Sequence, residues 1–240
     1  MLVYAFLLIT TCTIAQQINK PYNFPVRPDM QEWKELKTHD EMLAVLQLPV
    51  NILNNMSTEA LVETCLNYPL LPDIWAFNSY QQGIDKAVSG FNGFQKLQLH
   101  KNAGDELLKR YQKINMDDLE KKKTYNQQGD FILSISKIEA LLSIRSIVEN
   151  LSKSNKKTLL NSLLLKNKEM RNNGQYSRIS IEANTYVVIK ILLHEDYILF
   201  TQKIKEDKNL EKFCRIGAGL NKSTLENIIE IANSFLLSAN

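Results

Sequence analysis

Two short segments of the chain have residue types at spacings that could support chemistry. Ser134 and Lys137 have the S-x-x-K spacing of penicillin-recognising enzymes, in which the lysine lies one helical turn from a nucleophilic serine. Neither K-T-G nor S-D-N follows, so the pattern is weak. The segment 217–224 resembles a phosphate-binding loop, but Asn221 and Ile216 occupy the positions that need glycine. We predict that neither segment is a catalytic or phosphate-binding site.

The three histidines, His39, His100 and His194, are isolated from one another in the sequence. None belongs to an H-E-x-x-H motif, the spacing that places two zinc ligands on one face of a helix. Glu195 and Asp196 follow His194 directly, but adjacent helical residues point about 100° apart and do not converge on one ion. We therefore predict no metal site, no cofactor and no catalytic residue. An enzyme with a dispersed site that uses one histidine is the competing hypothesis.

Cysteine is rare in this chain. Removal of an export signal would leave Cys65 and Cys214, and an exported compartment permits a disulfide between them. Cys65 lies on the apolar stripe of a predicted helix, and Cys214 follows Phe213. We favour two separately buried thiols over a disulfide.

Positive charge is concentrated in the middle of the chain. The net charge is only +3, which is too small to indicate a nucleic-acid partner, but residues 101–172 carry 15 basic and 9 acidic groups. Lys153, Lys156 and Lys157 form a candidate basic face for binding. A solvated helix surface is the favoured explanation. The alternative is attraction to an anionic component of a cell envelope.

Aromatic side chains cluster around a proline-rich corner at residues 68–80. Tyr68, Trp75 and Tyr80 are the candidate binding patch, with Phe77 between them. Aromatic residues at this density first indicate packing between successive helices. If Trp75 and Tyr80 are exposed together, we expect them to form a binding surface.

The N-terminus has the pattern of an export signal. An apolar run from Leu2 to Ile9 is followed by small residues, so we predict a signal peptide at 1–15 with cleavage after Ala15. The run is too short for a transmembrane span. Lipidation of Cys12 is a less favoured alternative, because Thr11 fits poorly before a lipidated cysteine. Residues 16–28 contain three prolines and predict an extended lead-in over the surface.

The remaining chain, 29–240, has the pattern of packed helices. All six prolines lie at or before Pro72, and the long proline-free run after it is rich in helix-forming residues. Thr38 and Glu41 have capping-box spacing, as do Ser223 and Glu226. We predict an all-α fold of about ten helices, arranged as an irregular α-solenoid-like array or a multi-helix bundle, with a possible subdivision near 115–130.

The sequence does not decide between helix and strand for one stretch of the chain. The apolar run from Tyr186 to Leu193 also fits a buried strand, although its helical neighbours favour a helix. At the proline corner, Ser57 or Thr58 can begin a helix that Pro69 ends, and Pro72 can open the next one. We expect the central unit to be a helix, a stiff corner and a second helix.

The segment from Asn55 to Leu70 is distinctive. Together with Glu32-Trp33-Lys34, Met42-Leu43 and Phe91-Asn92-Gly93-Phe94, it resembles an uncharacterised family of secreted proteins from Bacteroides-type bacteria. The resemblance covers mainly residues 25–115. It implies export and a helical region, and some members combine that region with parts that resemble secreted cysteine hydrolases. The resemblance assigns no catalytic residue.

These observations together predict an exported, non-enzymatic helical protein of the cell envelope that binds another protein or an anionic envelope component, or serves as a scaffold. The binding groove is expected between successive helices near Trp75 and Tyr80. The alternative is an accessory module, or a degenerate relative, of a secreted hydrolase.

Overall fold

The computed structural model describes residues 17–238, and these residues form an all-α protein. They contain fourteen α-helices and two 3-10 helices, and their one strand-like pairing is an isolated bridge between Ile18 and Met56. The prediction of an all-α fold is confirmed. The predicted signal peptide and Cys12 lie outside the described residues.

The first half of the chain consists of short helices joined by tight turns. A 3-10 helix at Leu71–Ala76, named here the corner helix, interrupts them. The α-helices of this half are α1 (Gln31–Glu35), α2 (His39–Val45), α3 (Val50–Asn55), α4 (Thr58–Leu66), α5 (Tyr80–Gly90), α6 (Asn92–Leu97) and α7 (Ala103–Lys113).

The second half contains the longer helices. A second 3-10 helix, Met116–Leu119, leads into it. Its α-helices are α8 (Tyr125–Leu142), α9 (Arg145–Asn150), α10 (Lys153–Asn172), α11 (Arg178–His194), α12 (Ile198–Glu206), α13 (Lys208–Ile216) and α14 (Lys222–Ser238).

Local capping signals set several helix starts. At α2 the predicted capping box is present: the Glu41 amide donates to Thr38 Oγ1, and the Glu41 carboxylate accepts from the Thr38 amide, both at 3.2 Å. At α14 the predicted N-cap, Ser223, lies inside the helix and not at the capping position. Asn221 accepts from the Thr224 amide at 2.8 Å instead, because the helix begins at residue 222.

Left-handed residues explain where two of the C-terminal helices end. Asp196 has φ 46° and separates α11 from α12. Aspartate tolerates this conformation better than most non-glycine residues. Gly217, with φ 69°, ends α13 in the left-handed conformation that glycine adopts readily.

Helix α11 lies at the centre of the fold. Every residue from Ala183 to Ile189 is buried, and Ile191 and Leu192 are buried as well. A helix segment that is buried on every side must be surrounded by other elements. Helices α8, α9, α10, α13 and α14 pack against it. The run from Tyr186 to Leu193 is thus helical, and the arrangement is a multi-helix bundle around α11.

The lead-in is anchored by its aromatic residues. The Tyr22 amide donates to Thr64 Oγ1 of α4 at 2.8 Å, and Phe24 is only 3% exposed. Phe24 belongs to the same continuous apolar core as α4 and α11. The segment is extended, as predicted, but it enters the core at Phe24 rather than only lying over the surface.

Candidate ligand cavity at the proline corner

The proline corner has the predicted order of helix, stiff corner and helix. Ser57 caps α4 by accepting from the Ala60 amide at 3.2 Å, and α4 ends at Leu66, before Pro69. Pro72 lies in the first turn of the next helix, where its missing N–H costs nothing. That helix is a short 3-10 segment rather than an α-helix, and α5 follows it.

Tyr68 is held rigidly by an aromatic cluster. Its ring stacks on Phe91 with centroids 4.1 Å apart and meets the edge of Phe94 at 5.3 Å. Phe24 of the lead-in packs against both Tyr68 and Phe91. The cluster fixes the direction of the Tyr68 hydroxyl, since a stacked ring with neighbours on its edges has little freedom to turn.

The corner helix and α5 approach each other closely at Gly83. A Cβ atom on Gly83 would lie 2.2 Å from the carbonyl oxygen of Ile74. Such a contact is sterically forbidden, so only glycine permits this spacing. The structure gives it a packing role: it brings the two elements together at the cavity.

A cavity of about 530 Å³ opens between α2, the corner helix and α5, and we name it the corner cavity. Its lining is mainly apolar, with a few polar side chains. The lining residues are His39, Asp40, Leu43, Tyr68, Leu70, Asp73, Ile74, Ala76, Phe77, Gly83, Lys86, Ala87, Ser89 and Gly90. An apolar pocket of this size with few polar groups is typical of a small-molecule site.

A second, smaller cavity of about 120 Å³ lies on the other side of the corner helix. Ile74 and Phe77 line both cavities, so the corner helix forms the wall between them. Trp75 and Tyr80 line the smaller one. The candidate aromatic patch is therefore distributed over two cavities.

Tyr68, Asp73 and His39 line the corner cavity and interact electrostatically. Tyr68 is 1% exposed, and its hydroxyl has no hydrogen-bond partner among the described residues. Burial raises the Tyr68 pKa well above its usual value, and the nearby Asp73 carboxyl adds to the effect. Burial also raises the pKa of Asp73, while His39 acts in the opposite direction. The Tyr68 hydroxyl oxygen has almost no accessible surface, so Asp73 and His39, and not this hydroxyl, supply polar groups to the cavity.

Trp75 and Tyr80 do not form an exposed patch. Tyr80 is 7% exposed, while Trp75 is half-buried and stacks over it with ring centroids 6.3 Å apart. The Tyr80 hydroxyl lies near Ser143 and Glu139 in the interior and is buried without a bonded partner in the described chain. Because Tyr68 and Tyr80 are both buried, any contact with a ligand would occur inside a cavity. The binding role of the three residues stays a prediction.

The candidate basic face is interrupted at its centre. Lys156 is 5% exposed, and its ammonium donates to the Glu195 carboxylate at 3.0 Å. Lys153 is exposed and Lys157 is half-buried. Lys156 is therefore part of a buried ion pair between α10 and the end of α11, and it is not available as a surface charge.

A larger but more open depression lies beside Lys121–Lys123. Its volume is about 660 Å³, and mostly charged and polar side chains line it. Lys121 pairs with Asp118 at 2.6 Å, and the Lys122 ammonium lies 5.7 Å from the centre of the Phe131 ring. The Lys121 and Lys122 ammonium groups already have partners, and the depression encloses less apolar surface than the corner cavity. We therefore regard the corner cavity as the better ligand site despite its smaller volume.

The three histidines lie in three separate places. His39 lines the corner cavity, and His194 lines a cleft between α9 and α11. His100 Nδ1 lies 2.9 Å from Thr58 Oγ1 at the start of α4. Within residues 17–238, no group of three histidine, cysteine or acidic side chains is placed to hold a metal ion.

The other sequence candidates have structural roles. Ser134 is exposed and donates to the Phe131 carbonyl oxygen at 2.7 Å, which is a bond within its own helix. Cys65 is fully buried and Cys214 is half-buried, and neither is part of a disulfide. Burial raises the pKa of both thiols, which keeps them protonated and unreactive.

A buried polar network that the sequence analysis missed lies at the centre of the bundle. Glu139 of α8 is fully buried, and its Oε1 accepts from the Tyr111 hydroxyl at 2.8 Å and from Asn184 Nδ2 at 3.0 Å. Asn167 donates to Asn184 Oδ1 at 2.9 Å and to Thr185 Oγ1 at 3.1 Å. The network connects helices α7, α8, α10 and α11.

Glu139 has an unusual electrostatic environment. Its Oε2 has no hydrogen-bond partner among the described residues, and burial raises its pKa to about 7. The bonds from Tyr111 and Asn184 act in the opposite direction, as does the charge of Lys166. The sequence held one signal of this site, because Glu139 lies four residues after Ile135, on the apolar face of α8.

The fold and the cavity define a class: an all-α bundle with a small, mainly apolar ligand cavity beside a proline corner. Comparison with family models, curated proteins and solved structures finds no significant match to the chain. The resemblance to secreted Bacteroides-type proteins therefore stays a prediction. Among residues 17–238, no helix combines the length and apolarity needed to cross a bilayer.

Proposed function

We propose that the chain is an exported, non-enzymatic helical protein of the cell envelope, and that it acts as a binding or scaffold protein. Its ligand places an apolar group in the corner cavity. The proposal of export rests on the apolar run from Leu2 to Ile9 and the small residues before Gln16. The proposal of binding rests on the cavity itself.

The observation that carries the binding proposal is the apolar cavity between α2, the corner helix and α5. Its volume is about 530 Å³, and a mainly apolar pocket of this size with few polar groups is typical of a small-molecule site. A bound apolar group would cover these walls and remove their surface from water.

The positions of the histidines favour binding over catalysis. A hydrolase needs a nucleophile, a base and a group that orients the base, all within hydrogen-bond reach of one another. His39 and Asp73 share the corner cavity, but the nearby Ser89 hydroxyl donates to the Lys86 carbonyl oxygen at 3.0 Å. We therefore assign the polar groups of the cavity to recognition.

A neutral apolar dye tests this function without knowledge of the natural ligand. N-phenyl-1-naphthylamine is expected to fluoresce with the native protein and to lose at least tenfold in affinity in Ala76→Trp. Ala76 is exposed at the cavity mouth, so an indole there fills the entrance with little disturbance of the core. Fluorescence titration at constant protein concentration gives the affinities.

The matched control is Ala44→Trp, which adds the same side chain at an exposed position of α2 outside the cavity lining. Its dye affinity is expected to stay within twofold of that of the native protein. Equal binding by the two variants, or no dye binding by the native protein, would contradict the proposed function. Circular dichroism of each variant shows that its helices are intact.

A further inference from the structure

The cleft between α9 and α11 has a volume of about 370 Å³ and shares no lining residue with the corner cavity. Its lining consists of three basic, one acidic and two apolar side chains. The lining residues are Arg145, Val148, Glu149, Lys190, Leu193 and His194. Each helix contributes three residues at positions three and four apart, which lie on one face of a helix. The cleft is therefore the space between two facing helix surfaces, and most of its charged groups are basic.

Lys190 is the basic residue of the cleft that is held most firmly. Its ammonium donates to Gln81 Oε1 at 2.7 Å and lies 4.5 Å from the centre of the Tyr186 ring. An ammonium group has more than one N–H donor, so the bond to Gln81 does not use them all. Burial lowers the pKa of Lys190, Asp85 of α5 acts in the opposite direction, and the positive charge of Arg145 lowers it again. Lys190 and Arg145 thus lie close enough to repel each other.

Arg145 and His194 add further hydrogen-bond donors. The Arg145 side chain is 88% exposed, and its Nε donates to Glu149 Oε1 at 2.6 Å. Its Nη1 and Nη2 groups have no hydrogen-bond partner in the part of the chain that the structure describes. His194 is exposed, and its side chain makes no hydrogen bond within residues 17–238. Donors therefore outnumber acceptors in the cleft, because Glu149 is the one acidic lining group and is already bonded to Arg145.

This excess of donors favours an anionic ligand. An anion between Arg145 and Lys190 replaces their mutual repulsion with charge-assisted hydrogen bonds. A cation would add to the positive charge and would find an acceptor at Glu149 alone. A phosphate ester suits donors from two helices better than a carboxylate does, because it has three acceptor oxygens and a charge of about −1.5 to −2 at pH 7. Leu193 is 38% exposed and offers apolar surface to the organic part of such a ligand.

We propose that the cleft between α9 and α11 binds the phosphate group of a small phosphorylated compound, with Arg145 and Lys190 as its charged contacts. His194 is a further donor, and Leu193 lies against the organic part of the ligand. This inference goes beyond the proposed function, because it assigns a separate site to a ligand of different chemistry. Phosphate binding here and dye binding in the corner cavity are independent, so either proposal can fail without the other.

The experiment compares four ligands that share a phenyl ring: phenyl phosphate, benzoate, benzylamine and benzyl alcohol. Each is added to the full chain at pH 7 in a phosphate-free buffer, and amide chemical shifts are followed by NMR. We expect phenyl phosphate to give saturating shifts in α9 and residues 190–194, with at least fivefold tighter binding than any of the other three. Added sodium chloride should weaken the binding. Tighter binding of benzoate, benzylamine or benzyl alcohol, saturating shifts centred elsewhere, or no saturation with phenyl phosphate would overturn the inference.

Arg145→Gln removes one of the two charged contacts from an exposed position, so the fold is expected to stay intact. The affinity for phenyl phosphate should fall at least tenfold. Arg178→Gln is the matched control: Arg178 is also the first residue of its helix, is exposed, and bonds through Nε to a glutamate four residues later, at 2.9 Å. It does not line the cleft, so its affinity should stay within twofold of the native value. An unchanged affinity in Arg145→Gln, or an equal loss in both variants, would contradict the inference.

Glu149→Gln tests the sign of the charge effect. The glutamine oxygen can still accept from Arg145 Nε, while the negative charge that faces the cleft is lost. The affinity for phenyl phosphate should therefore rise by about threefold, because a repulsive charge has been removed. Weaker binding of phenyl phosphate by this variant would show that the cleft does not select its ligand by charge.

Discussion

Replacing Glu139 with glutamine is expected to remove about 3 kcal/mol from the pH dependence of the free energy of unfolding between pH 4 and pH 8. Burial raises the pKa of Glu139 from 4.5 in the unfolded chain to about 7 in the folded protein. The folded state therefore binds this proton more tightly. The stability that it contributes is fully present below about pH 4.5 and is lost as the pH rises through about 7.

The measurement is a urea titration of both proteins at several pH values. The difference in unfolding free energy, glutamine variant minus native, should become more positive by about 3 kcal/mol from pH 4 to pH 8. The glutamine oxygen can still accept from Tyr111 and Asn184, so the network keeps its bonds to Oε1. Its amide introduces buried donors, but their cost does not change with pH.

Glu211→Gln is the matched control, because it removes one carboxylate from an exposed position of α13. Comparison of the two variants separates the effect of losing the buried carboxyl of Glu139 from the effect of changing the net charge. A pH-independent difference between Glu139→Gln and the native protein would contradict the assignment of Glu139 as a group that is neutral when buried.

Replacing Gly83 with alanine is expected to destabilise the fold by about 2 to 3 kcal/mol. The new methyl group would lie 2.2 Å from the Ile74 carbonyl oxygen, so α5 and the corner helix must move apart. The preference of a helix for alanine over glycine recovers about 1 kcal/mol at most, which is less than the cost of the collision. Dye binding in the corner cavity should weaken as well, because Gly83 and Ile74 both line it.

Gly129→Ala is the control, and its expected effect on stability has the opposite sign. Gly129 lies within α8, and a Cβ atom there would have no neighbour within 4 Å. Only the helix preference acts at this position, so the variant should gain about 0.5 to 1 kcal/mol. Chemical denaturation of both variants measures the two effects. Stabilisation by Gly83→Ala would show that the close approach at Ile74 does not constrain the fold.

The features that the sequence predicted correctly depend on residues close together in the chain. The capping box of Thr38 spans three residues, and the proline corner is set by Pro69 and Pro72 within a few residues. Both are local, so backbone geometry alone determines them. The all-α class follows in the same way from helix-forming residues and from the absence of proline after Pro72.

The features that the sequence analysis missed depend on residues far apart in the chain. Lys156 was placed on a solvated face, but its partner, Glu195, is 39 residues away. Glu139 bonds to Tyr111 across 28 residues and to Asn184 across 45. Periodicity identifies which face of a helix is apolar, but it does not determine which partner lies opposite a polar residue on that face.

The corner cavity also depends on residues that are far apart in the chain. Its walls come from α2, the corner helix and α5, and Gly83 and Ile74, which approach each other closely, both line it. The sequence analysis predicted a groove near Trp75 and Tyr80. The larger cavity lies on the opposite side of the corner helix, at Tyr68.

The most direct test of the corner cavity is amide chemical-shift mapping of the native protein by NMR as N-phenyl-1-naphthylamine is added. We predict shifts that saturate and that are concentrated in α2, the corner helix and residues 83–90 of α5, with the Ala76→Trp variant showing none of them. Saturating shifts centred elsewhere, such as the cleft between α9 and α11, or the absence of saturation at any site, would contradict the account.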